Sequence, residues 1–200
     1  LGTKSIYSFF KKKIKKNIFF FDNLDANFNF KQIKNLKKTC FIIVSKSGNT
    51  IETISNLSLI LSKSLFQNKL IIITQIKNNA LMNIASKFNA EVIEHKDFLS
   101  GRYSVLSEVG MLPAALMKLN IKKFRDLENL INNKKFTSFL IKSVASIHTL
   151  NTQGVKNSVI LNYDTRLDDL SMWYQQLTAE SLGKKGKGIT PIISTMPKDN

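Results

Sequence analysis

The chain has 200 residues, with 30 Lys and Arg against 14 Asp and Glu for a formal charge of +16. An apolar fraction of 43% with 10% aromatics is enough to offset the entropy of ordering a chain, so disorder as the main state is excluded. The unbroken apolar runs, such as Phe41 to Val44 and Leu70 to Ile73, fall far short of the roughly 18 residues a transmembrane helix needs, and no membrane partner is expected. One cysteine, Cys40, cannot close an intrachain disulfide, and with two distant histidines, His95 and His148, it cannot build a four-ligand zinc site. No metal is expected, and a reducing, cytoplasmic setting is the default. The chain opens at Leu1 without an initiator Met and stops at Asn200 just after a strand-like segment, so a fragment of a longer product is expected.

Only Arg102, Arg125 and Arg166 of the 30 cations are arginine, whereas base recognition leans on bidentate arginine. Lysine excess of this kind does not point to a nucleic-acid partner. The dense run Lys11 to Lys16, broken by Ile14, reads as the solvated end of a helix entering the strand-like Ile18 to Phe21. A positive field of this size would steer small anionic metabolites to the protein, and their association should then slow as salt rises.

In chain order, β-rich apolar runs at Ile18 to Phe21, Phe41 to Val44, Leu70 to Thr74 and Glu91 to Glu94 are separated by helical periodicities. That alternation predicts an α/β fold with a parallel sheet and crossover helices. Between the second and third runs, Ile51, Ile54, Leu57 and Leu61 recur at helical spacing, with Asn49 placed as N-cap and Glu52 as its reciprocal partner. The next connection repeats the pattern with Leu81, Ile84, Ala85 and Phe88, and both stripes read as core. Tyr103 to Leu119 predicts a helix that Pro113 should interrupt or kink. Lys122 to Lys135 is polar and charged, the expected boundary between two units. A second α/β pattern follows: helix Phe136 to Leu150, strand Ser158 to Asn162, helix Arg166 to Leu182, a glycine-rich turn, and strand Thr190 to Ser194. The organisation expected is a first domain over 1–121, a linker over 122–135 and the start of a second, similar domain over 136–200.

Phe41 to Val44 runs into Ser45-Lys46-Ser47-Gly48-Asn49-Thr50 and then into a helix at Ile51. A hydroxyl-rich turn at a strand's carboxyl end and a helix N-terminus favours anions, because backbone N–H groups and the helix dipole point at it. Gly48 permits close approach or positive φ, and Ser45, Ser47, Thr50 and Thr53 supply hydroxyl donors. The spacing is neither GxxxxGK[ST] nor GxGxxG, so this is not a nucleotide loop. An ordinary capped βα turn has the same residue types, and spacing alone leaves both readings open.

The stretch Ser45-Lys46-Ser47-Gly48-Asn49-Thr50-Ile51-Glu52-Thr53 resembles the phosphosugar-binding loop of sugar isomerase (SIS) domains, whose hydroxyls hold a sugar phosphate. Enzymes and sugar-sensing regulators share that loop. Asp97 to Gly110, with Gly101-Arg102-Tyr103-Ser104 at its centre, resembles a signature of the glucose-6-phosphate isomerase (phosphoglucose isomerase) family, although Ser100 stands where the family usually has a first glycine. Trp173 to Lys184 is similar to the family's second signature, where a Gln and a Glu four residues apart face the substrate; Gln176 and Glu180 stand at those positions, on one helical face. Leu1-Gly2-Thr3-Lys4 looks like the tail of a further family loop whose serine lies before Leu1.

This resemblance covers essentially the whole chain. It implies a three-layer α/β/α sandwich of SIS type and an aldose–ketose isomerase without cofactor, interconverting glucose 6-phosphate and fructose 6-phosphate through an enediolate. Glu180 would be the base that moves the proton between C1 and C2. Arg102 would stabilise the enediolate, and Gln176 would orient the substrate. Ser45, Ser47, Thr50 and Thr53 would bind phosphate with Lys46 adding charge, and Gly101 would lie beside the substrate. The chemistry fits those residue types: abstraction next to a carbonyl needs a positioned carboxylate, and the resulting oxyanion needs a nearby cation. The family also implies a homodimer, a ring-opening histidine expected beyond Asn200 and a lysine near the C-terminus, so these 200 residues are expected to be inactive alone. Gly183 to Gly188 follows a helix rather than preceding one and reads as helix termination. His95 reads as a surface residue at a strand end and His148 as helix surface or satisfied packing. A non-catalytic SIS-domain regulator would keep Ser45 to Thr53 without reason to keep Arg102, Gln176 and Glu180 together. Mannose 6-phosphate as a further substrate stays open at this level.

Overall fold

The structure is a computed structural model that describes residues 1–24, 33, 38–62 and 69–196. Its architecture is mixed α/β, with parallel strands in two small sheets and helices packed around them. Two compact units are formed: Asn17–Ser104 is one, and Leu1–Lys16 together with Val105–Asn200 is the other.

The first unit is built on β1 (Cys40–Val44), α2 (Ile51–Ser62), β2 (Lys69–Thr74), α3 (Ala80–Phe88) and β3 (Glu91–Glu94). The strands pair in parallel in the order β1-β2-β3, with Phe41 opposite Leu70 and Ile71 opposite Glu91. β2 is central and buried on both faces, which is why Leu70 to Ile73 reads as a continuous apolar run rather than an alternation. β1 alternates, burying Phe41 and Ile43. These two meet Leu57 and Ile60 from α2, Ile72 from β2, and Leu81 and Ala85 from α3 in one core. The α3 stripe thus packs as its periodicity predicts. The α2 stripe is shifted: Ile60 is buried, whereas Ile51, at the first helical position, is 72% exposed. Ile51 lies outside the cluster that Leu57, Ile60 and Leu61 join.

Ile18 to Phe21 forms no strand in the described residues. The carbonyls of Phe21 and Asn23 accept hydrogen bonds from the Asn56 amide on α2. A β-prone run becomes a strand only where a ladder partner is available, which composition does not report.

The second unit holds α1 (Gly2–Phe10), α4 (Glu108–Leu116), α5 (Ile121–Arg125), α6 (Glu128–Ile131), α7 (Lys134–Thr152), β4 (Asn157–Asn162), α8 (Asp168–Leu182) and β5 (Thr190–Thr195). Ile6, Met111 and Ala114 form its buried cluster, flanked by Phe10, Val105, Leu106, Leu119 and Phe124. The helix predicted over Tyr103 to Leu119 is split into a 3₁₀ turn over Gly101–Leu106 and α4, capped by the Ser107 hydroxyl accepting from the Val109 N–H. Pro113 lies inside α4, which ends at Leu116; Lys118 takes a left-handed φ of 61°, and the Leu119 N–H reaches back to the Ala114 carbonyl. That closing pattern, with Leu119 packed on the cluster, is what stops the helix. Lys122 to Lys135 takes in most of the short helix α5, all of α6 and the first residues of α7. β4 and β5 pair in parallel, Asn157 opposite Thr190, and the Gln175 amide on α8 donates to the Pro191 carbonyl of β5. Lys11, Lys12 and Lys13 form an exposed 3₁₀ turn after α1, the solvated helix end expected of that run.

Candidate active site

The carboxyl ends of β1, β2 and β3 all feed the same edge of the first sheet, the edge where open parallel sheets receive ligands. The loop after β1 is held there by its carbonyls. The Lys46 carbonyl accepts from the Gln75 N–H at 3.2 Å and the Thr74 hydroxyl at 3.4 Å, and the Gly48 carbonyl accepts from the Leu81 N–H at 3.1 Å. Ser45 is buried, its hydroxyl 2.6 Å from that of Thr50, and it accepts from the Gly48 N–H at 3.1 Å. The exposed Ser47 hydroxyl accepts from the Asn49 N–H, and Thr53 is half-buried in the first turn of α2. Gly48 adopts φ +71°, a conformation L side chains rarely take.

Asn49 does not cap α2. Its side-chain oxygen accepts from the Ala80 N–H at 2.9 Å, and the Thr50 carbonyl takes the first helical bond, from the Ile54 N–H. Local spacing named Asn49 as cap, but a partner 31 residues away won the side chain. The Lys46 ammonium donates to the Asp97 carbonyl at 2.7 Å, joining the β1 loop to the segment that follows β3.

That segment carries Gly101 and Arg102. His95 is buried, not at the surface: its N–H donates to the Thr74 carbonyl and its Nε2 lies 3.1 Å from the Leu99 carbonyl. A carbonyl only accepts, so Nε2 carries the proton of this bond. The ring's polar edge is satisfied inside the turn, which is how a strand-end histidine can be buried. The 3₁₀ turn after it is closed by Ser104, whose hydroxyl donates to the Gly101 carbonyl at 2.6 Å. Arg102 is half-buried, its guanidinium 5.0 Å from the centre of the Tyr103 ring. Gly101 takes an ordinary φ and the space a Cβ would fill is open, so the turn itself does not require glycine.

In the second unit, Gln176 and Glu180 lie one turn apart on α8, and the Gln176 amide donates to the Glu180 carboxylate at 2.9 Å. Glu180 is exposed and Gln176 half-buried. Ser171 and Thr178, both buried, hold the opposite face of α8 inward. The structure therefore brings Ser45, Lys46, Ser47, Thr50, Thr53, Gly101 and Arg102 into one unit, and Gln176 with Glu180 into the other.

Near the start of α8, Asp164 accepts from the Arg166 side chain and backbone N–H, and these bonds hold its carboxyl well below the usual range, to about 2. The Arg166 guanidinium also lies 5.2 Å from the Phe9 ring of α1. This is an anchor for α1 rather than a reactive pair. Among the described residues no cluster of His, Cys, Asp and Glu could hold a metal ion, and no helix is long and apolar enough to cross a membrane. Sequence reasoning did not single out Thr74, Gln75 or Asn79, which brace the loop; only Asn79, directly before the apolar residues of α3, carried a signal, that of a helix cap.

A family model described as phosphoglucose isomerase matches residues 1–195. The chain is 33% identical to a glucose-6-phosphate isomerase of Methanocaldococcus jannaschii, covering 100% of this chain and 52% of that protein. It is 35% identical to a probable glucose-6-phosphate isomerase of Methanococcus maripaludis over 88% of this chain and 43% of the relative. Among solved structures, a hypothetical protein of Thermus thermophilus superposes with a TM-score of 0.79 at 25% identity, over 99% of this chain and 51% of its own. The chain thus spans about half the length of the curated relatives it matches. On a match that runs from Leu1 to the end of β5, this chain belongs to the phosphoglucose isomerase family.

Proposed function

We propose that the protein carrying this chain is a glucose-6-phosphate isomerase that interconverts glucose 6-phosphate and fructose 6-phosphate in glycolysis and gluconeogenesis, in the cytoplasm. The observation that carries this reading is the hydroxyl loop Ser45 to Thr50, braced at the carboxyl edge of a parallel sheet in a chain of this family. Ser45, Ser47, Thr50 and Thr53 bind the phosphate, and Lys46 adds positive charge. The Glu180 carboxylate removes the C2 proton of the open-chain aldose as electrons move into the C1 carbonyl, leaving an enediolate; the O2 hydroxyl gives up its proton while O1 gains one, and Glu180 returns its proton to C1 as the C2 carbonyl forms. Arg102 stabilises the oxyanion, Gly101 lies beside it, and Gln176 orients the substrate while holding Glu180 through their hydrogen bond. The oxidation at C2 matches the reduction at C1, so the reaction requires no external oxidant or organic cofactor.

A first SIS-type domain over 1–121, a linker over 122–135 and the start of a second such domain over 136–200 belong to the same reading. It is supported by the repeated parallel strand–helix–strand order of β1-α2-β2 and β4-α8-β5. A homodimer with sites drawing on both subunits is part of it as well. The test is Glu180→Gln in the full polypeptide that carries this sequence. Interconversion of the two hexose phosphates should be abolished while glucose 6-phosphate still binds; turnover comparable to wild type would remove Glu180 from the mechanism.

A further inference from the structure

We infer that Asn79 is a positioning residue of the phosphate loop, setting the height of Gly48 and through it the Ser45 hydroxyl; this rests on the reading of Ser45 to Thr50 as an anion site. Asn79 is 4% exposed, and its side chain has two hydrogen bonds. Oδ1 accepts from the Met82 N–H at 2.9 Å, capping α3, and Nδ2 donates to the Gln75 carbonyl at 3.0 Å. Its remaining surface lies directly against Gly48: a Cβ added at that glycine would fall 2.1 Å from Oδ1 and 2.2 Å from Cγ. Gly48 in turn donates to the Ser45 carbonyl and hydroxyl, and that hydroxyl is the one paired with Thr50. The amide of Asn79 is therefore the floor beneath Gly48, one of the two residues bonded to the buried hydroxyl.

The first N–H groups of α3 support the same conclusion. A helix start leaves four such donors without intrahelical partners unless a cap intervenes. Here the Ala80 N–H goes to the Asn49 side chain, the Leu81 N–H to the Gly48 carbonyl, and the Met82 N–H to Asn79 itself. Two of these donors are thus spent on holding the β1–α2 loop, and Asn79 fixes where the helix that supplies them begins. The start of α3 serves as a brace for the loop, not as a second anion site.

A cap and a brace can be separated by substitution. Aspartate caps a helix as well as asparagine and is favoured by the helix dipole, so Asn79→Asp keeps the Met82 bond. It also turns the Gln75 contact repulsive and puts a negative charge under the loop. In the full polypeptide, calorimetric titration with inorganic phosphate should then show affinity about tenfold or more weaker, and the melting temperature should fall as well, because a carboxylate is placed at a 4% exposed position against the Gln75 carbonyl. Unchanged phosphate affinity in Asn79→Asp would overturn the inference and leave Asn79 a helix cap only. Should that variant not fold, Asn79→Ser keeps a capping oxygen but lacks the Gln75 bond and the floor. There the Gly48 amide NMR resonance should move without phosphate present, and an unmoved resonance overturns the inference. Ser45→Ala is the separate control: if wild type and Ser45→Ala respond to phosphate alike, the anion-site reading fails, while the Gly48 resonance still decides whether Asn79 positions the loop.

Discussion

Gly48→Ala tests the physical account of the loop most directly. At φ +71° a non-glycine residue costs about 1–2 kcal/mol. The new methyl would also fall 2.1–2.6 Å from three side-chain atoms of Asn79, a buried side chain held by two hydrogen bonds, and overpacking of this kind costs about 1–3 kcal/mol. The sum, about 2–5 kcal/mol, is a large share of a domain stability of about 5–15 kcal/mol. With a urea dependence of about 2 kcal/mol per molar, the unfolding midpoint should fall by roughly 1–2.5 M. The two contributions separate in a double-mutant cycle, since Asn79→Ala removes the atoms the methyl meets but leaves φ unchanged. The pair should be less destabilised than the sum of the singles by about 1–3 kcal/mol. Gly101→Ala, at ordinary φ and facing open space, should shift stability by no more than about 1 kcal/mol. Additive effects of Gly48→Ala and Asn79→Ala, or a Gly48→Ala midpoint equal to wild type, would refute the reasoning.

Ser45→Ala removes the acceptor for the Gly48 N–H and the partner of the Thr50 hydroxyl; stability should fall by about 1 kcal/mol and phosphate affinity should fall with it, both readable in one calorimetric series. Leu57→Ala empties a fully buried position between the sheet and α2, and chemical denaturation should report a loss of about 2–5 kcal/mol. Asp164, held at about 2 by Arg166, contributes stability that is present above the ordinary carboxylate range and is lost as pH falls through about 2. In Arg166→Gln the carboxyl resonance of Asp164 should titrate at higher pH; an unchanged titration would show that Arg166 does not hold it low.

What was legible in the amino-acid order is what neighbouring residues decide. The apolar run of β2, the stripe of α3 and the glycine-terminated end of α8 each follow from contacts within a few residues. The Gln176–Glu180 pair does too, because a four-residue spacing puts two side chains on one helix face whatever surrounds it. Family resemblance at Gly101 to Ser104 and Ser45 to Thr53 named residues, but it could not say what supports them.

Tertiary structure decided the rest, wherever two partners of similar strength competed and the stronger one lay far along the chain. Asn49 left its own helix for the Ala80 N–H, and His95 was drawn inward where its backbone N–H meets the Thr74 carbonyl of β2. Ile51 was left outside the core cluster, and Ile18 to Phe21 gained no ladder among the described residues. The N-terminal helix α1 packed with α4 and α8, elements that begin about a hundred residues or more later. A one-dimensional pattern encodes propensity and period, both of which fall off within a helical turn or two. Which donor finally meets which acceptor depends on distances that exist only after the chain has closed on itself.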